Sequence, residues 1–244
     1  MPLITIVTVT YNAAAELPAT LESLASQTYR DFEHLIIDGA STDDTLAVAR
    51  RLSPSARIVS EPDKGLYDAM NKGLRAATGD FILFLNAGDS FHSADDLEAY
   101  AAEASKSNVD IIYADTVVVD DARQALRPRH LSVPDVLDKK SFSHGMLICH
   151  QAFMCRRSLA PEFDTTWRFS ADYDWTLRVI EATVPGRCRN LRRVAIDFLD
   201  AGTTTKNHRA SLKERFKIMH RHFGLPLTLM RHLSFIPRYI GRRR

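Results

Sequence analysis

The stretch Leu3-Ile-Thr-Ile-Val-Thr-Val-Thr10 constrains the chain more than any other. Its β-branched residues favour an extended backbone, and it has no polar face to turn to water. A strand of that kind needs cover on both sides, as in a parallel sheet with helices packed above and below. The residues that follow place Leu17, Leu21 and Leu24 at helical spacing. The alternation then repeats. His34-Leu-Ile-Ile-Asp38 reads as strand, and a helix from about Thr42 carries Leu46, Ala49 and Leu52. A further helix carries Met70, Leu74 and Ala77, and Phe81–Leu85 is strand again. This order predicts an α/β fold, doubly wound around a mainly parallel sheet. Asp110–Val119 and Met146–Cys155 extend the strand series, and Phe169–Trp175 opens a helix running through Ile180.

A chain of 244 residues with 45% hydrophobic side chains can bury one such core and carry an appendage. Charge marks where the appendage lies. Residues 206–244 hold eleven Lys and Arg against the single acid Glu214, or +10, so a chain of net +2 leaves −8 on residues 1–205. In this tail Leu212, Phe216 and Met219 share one helix face, and Leu229, Leu233, Ile236 and Ile240 a second after Pro226. Leu225, Leu227 and Met230 add to a stripe in which aliphatic residues predominate over any pattern of basic residues interleaved with exposed aromatics, which argues against nucleic acid. Two readings stay open. Arg221, Arg231, Arg238 and Arg242-Arg243-Arg244 can each contribute about 1 kcal/mol at an anionic membrane surface. Alternatively, the helices pack on the domain with their arginines in water. Three cysteines without a CxxC pair suggest neither a disulfide framework nor a zinc site, which favours a cytoplasmic setting. With no basic leader and no run of 18 apolar residues, the chain is expected to be soluble or peripheral.

In doubly wound sheets ligands bind beyond the carboxyl ends of the strands. Here those ends read Thr10-Tyr11-Asn12, Asp38-Gly-Ala-Ser41 and Asn86-Ala-Gly-Asp89. Asp89, just past an oily strand, is a candidate ligand for Mg²⁺ or Mn²⁺, cations that fill remaining positions with water and phosphate oxygens; the same four residues also suit a plain turn. Asp38 can accept a hydrogen bond from a nucleobase, with Tyr11 flat against the base. Ser41 to Asp44 suffice as caps for the next helix. Neither G-x-G-x-x-G nor G-x-x-x-x-G-K-[ST] is present, so dinucleotide and P-loop readings lack support. His144, His150 and His208 show no H-x-x-x-H spacing and are left out of the metal site.

Taken together, Thr8-Val-Thr-Tyr-Asn12, Ile37-Asp-Gly-Ala-Ser-Thr-Asp43, Asp63-Lys-Gly-Leu-Tyr-Asp-Ala-Met-Asn-Lys-Gly73 and Leu85-Asn-Ala-Gly-Asp89 resemble the inverting nucleotide-sugar glycosyltransferases of family 2, with the GT-A fold. The resemblance covers residues 1 to about 205 and is nearest the subgroup that builds bacterial surface polysaccharides and glycolipids. It implies a nucleotide-binding half over about 1–110 and an acceptor half over about 111–205. It places Thr10, Tyr11, Asn12, Asp38, Asn71 and Asn86 around the nucleotide and makes Asn86 to Asp89 the counterpart of the family's DxD. Two departures stand out. Asn86 replaces an aspartate, so Asp89 would carry most of the ligation, and Met70 replaces an arginine, for which Lys64 or Lys72 could substitute.

Inversion is a single displacement and needs one base on the acceptor side. Ala171-Asp-Tyr-Asp174 resembles the family's acidic motif, with Asp172 as that base. Residues two apart on a helix point about 200° apart, so Asp172 and Asp174 cannot both face one pocket; both would also suit a helix N-terminus electrostatically. His150-Gln151 matches a dipeptide of the subgroup on the acceptor side, where Asp174 is the remaining candidate, and His208 could close over the diphosphate. Cys149 and Cys155 read as packing residues. The expected function is metal-dependent transfer from a UDP-sugar to a lipid-linked or glycan acceptor, at the inner face of the cell membrane. The alternatives are a sugar nucleotidyltransferase, which would want a glycine-rich basic loop at Thr8–Asn12, and a non-catalytic membrane-associated binding module.

Overall fold

The computed structural model describes residues 3–129, 131, 133–200 and 208–240. The opening strand, β1 (Ile4–Thr10), is buried along its whole length. It lies between β2 (Phe32–Asp38) and β4 (Phe81–Phe84), parallel to both, and β3 (Arg57–Ser60) adds to β2 in parallel. Alternate residues of β1 enter opposite cores. Ile4 and Ile6 pack with Leu24 of α1 (Leu17–Ala25) and with Leu97 and Tyr100 of α4 (Asp96–Ala104). Val7 and Val9 pack with Met70 and Leu74 of α3 (Leu66–Ala76) and with Trp175 of α5 (Ala171–Ala182). Each such side chain contributes about 1.5–3 kcal/mol when fully buried, so the oily strand is firmly held between the two cores. Gly73 lets α3 press onto β1, since a Cβ there would overlap Val7 Cγ1.

The sheet order is β3-β2-β1-β4-β8-β6-β9-β5, with β5 (Ser90–Phe91), β6 (Ile111–Val119), β8 (Phe153–Arg156) and β9 (Cys188–Leu199) in the second half and β7 (Ala125–Pro128) paired to β6. β8 runs antiparallel between β4 and β6, while β6 and β9 are parallel to each other. The mainly parallel α/β expectation therefore holds, with an antiparallel insertion.

One strand is shorter than its sequence suggests. Of Met146–Cys155 only the end is extended, preceded by single 3-10 turns at Ser141–His144 and His150–Ala152. Met146, Leu147 and Ile148 are buried, so their apolar run fills core without joining a ladder. The helix expected from about Thr42 is α2 (Thr45–Leu52); Asp43 instead accepts hydrogen bonds from Thr45 and Ala14 ahead of it.

The basic tail divides in two. In α6 (His208–Phe223), Ile218 and Met219 belong to the same apolar cluster as Val7 and Trp175, so this helix is packed against the domain. Glu214 accepts from the backbone N–H groups of Arg168 and Phe169, and the Ser211 and Ser170 hydroxyls are 3.0 Å apart at the start of α5. Arg221, read as a membrane contact, pairs with Asp164 at 3.3 Å and lies over Trp167. By contrast, α7 (Leu225–Ile240), which takes Pro226 in its first turn, exposes Leu225, Leu229, Met230 and Leu233. Among the described residues no helix is long and apolar enough to cross a membrane. Arg242-Arg243-Arg244, the Gly202–Thr205 segment and the side chains of His208, Ile236, Arg238 and Ile240 lie outside the described residues.

Candidate active site

Strand register brings the carboxyl ends together: Thr10 pairs with Asp38, and Asp38 with Ser60. Ala87 N–H bonds to Val9 O, so the segment after β4 reaches the same edge. At this edge Asp38 is buried and turned inward. Its Oδ2 accepts from Ser41 N (3.0 Å) and Ser60 Oγ (2.7 Å), and its Oδ1 from Ser41 Oγ (2.5 Å). Asn12, at φ 47°, accepts from Thr42 N (2.8 Å), while its own N–H donates to Ser41 Oγ. Both residues shape the loops in this state rather than presenting free polar atoms. Tyr11 does project, 64% exposed, and a Cβ on Gly39 would stand 3.2 Å from its ring and 2.5 Å from Asp63 Oδ2. Gly39 thus lets an aromatic face and a carboxylate approach across one loop. Asp63 belongs to the third motif, and nothing in its spacing marks it as the neighbour of Gly39 and Tyr11. Thr10 Oγ1 is buried and has no hydrogen-bond partner.

Asn71 is not open to the crevice. Its amide donates to Phe163 O (3.0 Å) and accepts from Phe163 N (2.7 Å), clamping the chain ahead of α5. Lys72 is likewise engaged, 3.1 Å from Glu61 and bonded to Pro62 O (2.7 Å), so it does not replace the missing arginine here.

Beyond β4 the geometry converges. Asn86 Nδ2 lies 3.2 Å from His150 Nε2, and Asn86 Oδ1 is buried without a partner. Asp89, 5% exposed, accepts from Gln151 Nε2 (2.7 Å) and from Leu199 N (3.1 Å). Gln151 is itself oriented by the Cys149 thiol, which donates to its Oε1 (2.6 Å) and whose pKa burial pushes up to about 11. Both partners of Asp89 are neutral. Burial therefore dominates and raises its carboxyl to about 6, against the lowering effects of Leu199 N–H, His150, Gln151 and Arg123. Arg123 donates to Gly88 O (2.6 Å) and holds the turn, in which Gly88 takes φ 101° under Leu199.

Among the described residues no three His, Cys, Asp or Glu side chains form a metal-holding group. The donor set still suits a hard cation that takes few protein ligands. It consists of one unpartnered amide oxygen on Asn86, and close by in the chain a buried carboxylate short of positive charge on Asp89.

Asp172 faces this cluster from the first turn of α5. Its Oδ2 is 3.4 Å from His150 Nδ1, and Tyr67 donates to its Oδ1 (3.2 Å). Burial alone would raise this carboxyl. The facing His150, with Arg215 and Tyr67, outweighs burial and holds it below the usual range. Asp174 points the other way, as helix geometry requires. It is fully buried, bonded to Arg178 Nε (2.7 Å) and His222 Nε2 (2.9 Å), and its pKa is also lowered. It belongs to the contact between α5 and α6, not to the acceptor side.

A mainly parallel α/β sheet with polar tips gathered past its strands, and a helix-borne carboxylate facing them, is the arrangement expected of a GT-A glycosyltransferase. The chain belongs to glycosyl transferase family 2, whose family model matches residues 5–162. A PGL/p-HBAD biosynthesis glycosyltransferase of Mycobacterium bovis is 36% identical over 185 residues, covering 72% of this chain and 69% of that protein. Among solved structures, Staphylococcus aureus TarS 1-349 superposes with a TM-score of 0.72 at 17% identity, over 95% of this chain and 72% of that one; that protein has also been solved with UDP-GlcNAc. Glucosyl-3-phosphoglycerate synthase from Mycobacterium tuberculosis, in complex with Mn²⁺ and UDP, matches at a TM-score of 0.57 and 16% identity, over 92% of this chain and 81% of that one.

Proposed function

We propose that this glycosyltransferase moves a sugar from a UDP-sugar to a hydroxyl of a lipid-linked or glycan acceptor, with inversion and with Asp172 as the general base. One observation carries the reading: a carboxylate held ionised at the start of α5 faces, through His150, the donor-side tip of β4. The acceptor hydroxyl would give its proton to Asp172 as its oxygen bonds to the anomeric carbon, and the bond from that carbon to the diphosphate oxygen would break in the same step. Tyr67 and His150 hold the carboxylate while this happens. Tyr11 offers a face for the uracil, and Thr10 Oγ1 an unpartnered hydroxyl at the same rim.

Asn86 and Asp89 would hold Mg²⁺ or Mn²⁺, whose charge when bound stabilises the departing diphosphate. That structural neighbours were solved with UDP-GlcNAc, or with UDP and Mn²⁺, supports the donor and cation classes. A lipid-linked acceptor is supported by α7, whose exposed leucines would lie in an anionic membrane surface at the cytoplasmic side.

The test is Asp172→Asn. Sugar transfer should fall by about 10²–10⁴-fold, the usual worth of a general base, while UDP affinity by calorimetric titration stays near wild type. Undiminished transfer would reject the assignment.

A further inference from the structure

We propose that His150 is a positioning residue that orients Asp172 with one ring nitrogen and Asn86 with the other, coupling the proton acceptor to the donor side of the crevice. The proposal rests on Asp172 being the base. An ionised carboxylate only accepts hydrogen bonds, so the His150 nitrogen facing it, Nδ1 at 3.4 Å, carries the ring proton. With that proton on Nδ1, Nε2 can accept, and Asn86 meets it with its NH₂ group, at 3.2 Å. The reverse placement would set a carbonyl oxygen against a lone pair. This polarity turns Asn86 Oδ1 away from His150, and that oxygen is the buried acceptor with no partner. One imidazole therefore decides that the tip of β4 offers the donor an acceptor atom, and keeps the base charged a few ångströms away.

The ring is well placed to do both. His150 opens the single 3-10 turn His150–Ala152, its side chain is only 11% exposed, and its neighbours are fixed: Gln151 is bonded to Asp89 and Cys149, and Ala152 O accepts from the buried Tyr100 hydroxyl at 3.0 Å. The long contact to Asp172 is of the kind that tightens when a substrate closes over the site.

Two conservative variants separate the two arms. The amide of His150→Asn sits about where Nδ1 stood and can still donate to Asp172, whereas the carbonyl of His150→Gln sits about where Nε2 stood and can still accept from Asn86. UDP affinity by calorimetric titration reads the donor side. UDP release from UDP-glucose or UDP-N-acetylglucosamine, with a bacterial lipid extract as acceptor pool, reads kcat. His150→Gln should keep UDP affinity within about 3-fold and lose about 100-fold in kcat, the usual result of a base misplaced by an ångström. His150→Asn should show the opposite split, and His150→Ala should lose both. If His150→Ala matches wild type in both readouts, or if the Asn and Gln variants fall alike in both, the coupling is wrong. An inactive Asp172→Asn beside an unaffected His150→Ala overturns the coupling alone, and a fully active Asp172→Asn overturns the base and the coupling together.

Discussion

Asp89→Asn separates what the buried carboxylate costs the fold from what it contributes to the site. Burial lifts the Asp89 carboxyl from an ordinary 3.8 to about 6. The folded chain therefore holds this proton more tightly than the unfolded one. The corresponding stability is fully present below 3.8 and is lost as pH rises through about 6. At about 1.4 kcal/mol per pH unit, that interval amounts to about 3 kcal/mol lost by neutral pH. Asparagine has no charge to desolvate and its oxygen can still accept from Leu199 N. Its NH₂, however, would face Gln151 Nε2, so Gln151 must turn over and give up the bond from Cys149, at a cost of about 1 kcal/mol. The variant should thus be about 2 kcal/mol more stable than wild type near pH 8 and no more stable near pH 4. The assay is urea unfolding followed by fluorescence of Trp167 and Trp175, in chelator, at several pH values. In separate samples without chelator, Mn²⁺-dependent UDP binding should weaken. A wild-type midpoint that does not change between about pH 4 and pH 7.5, or a variant less stable than wild type near pH 8, would refute the reasoning.

Two further outcomes follow from the tail. His222 is pushed down by burial but raised overall by its bonds to Asp174 and Glu181, so its contribution is present below its ordinary 6.5 and is lost as pH rises through the higher folded value. Hydrogen-exchange protection factors of α6, corrected for the intrinsic pH dependence, should fall above neutral pH in wild type, and His222→Phe should remove that fall while costing about 1–3 kcal/mol by leaving Asp174 short of a partner. In α7, Leu229 and Leu233 are 47% and 67% exposed one turn apart, so Leu229→Gln with Leu233→Gln should abolish flotation with anionic liposomes and leave the melting temperature unchanged. Equal flotation would reject the membrane reading.

The parallel core was legible in the sequence because β1, β4 and the Leu35-Ile-Ile37 centre of β2 show no polar face that could turn to water. The strand ends were legible for the same reason, since polar residues after such a run have one place to go. β9 left no comparable trace: Cys188-Arg-Asn-Leu-Arg-Arg193 reads as a charged loop, and its register beside β6 shifts twice, yet its backbone supplies the Leu199 N–H that holds Asp89. The opposed directions of Asp172 and Asp174 followed from helical periodicity alone. What each then touches did not, because His150 and His222 reach them over long sequence distances. The same distance hid the uses of Asn71 and Lys72, whose partners are largely backbone carbonyl and amide groups that no side-chain pattern encodes.

Glu214 sits on the far side of a stretch that charge would assign to a separate appendage, yet its carboxylate receives the two amides just ahead of the helix bearing the proton acceptor. A shortened chain ending near residue 205 would therefore be a damaged catalyst and not merely an unanchored one. It would open the apolar interior where Ile218 and Met219 sat, take His222 from Asp174 and leave the base-bearing turn untethered. Deletions of that kind would confuse lost adhesion with lost chemistry, and only changes confined to the outward leucines of the last helix can tell them apart.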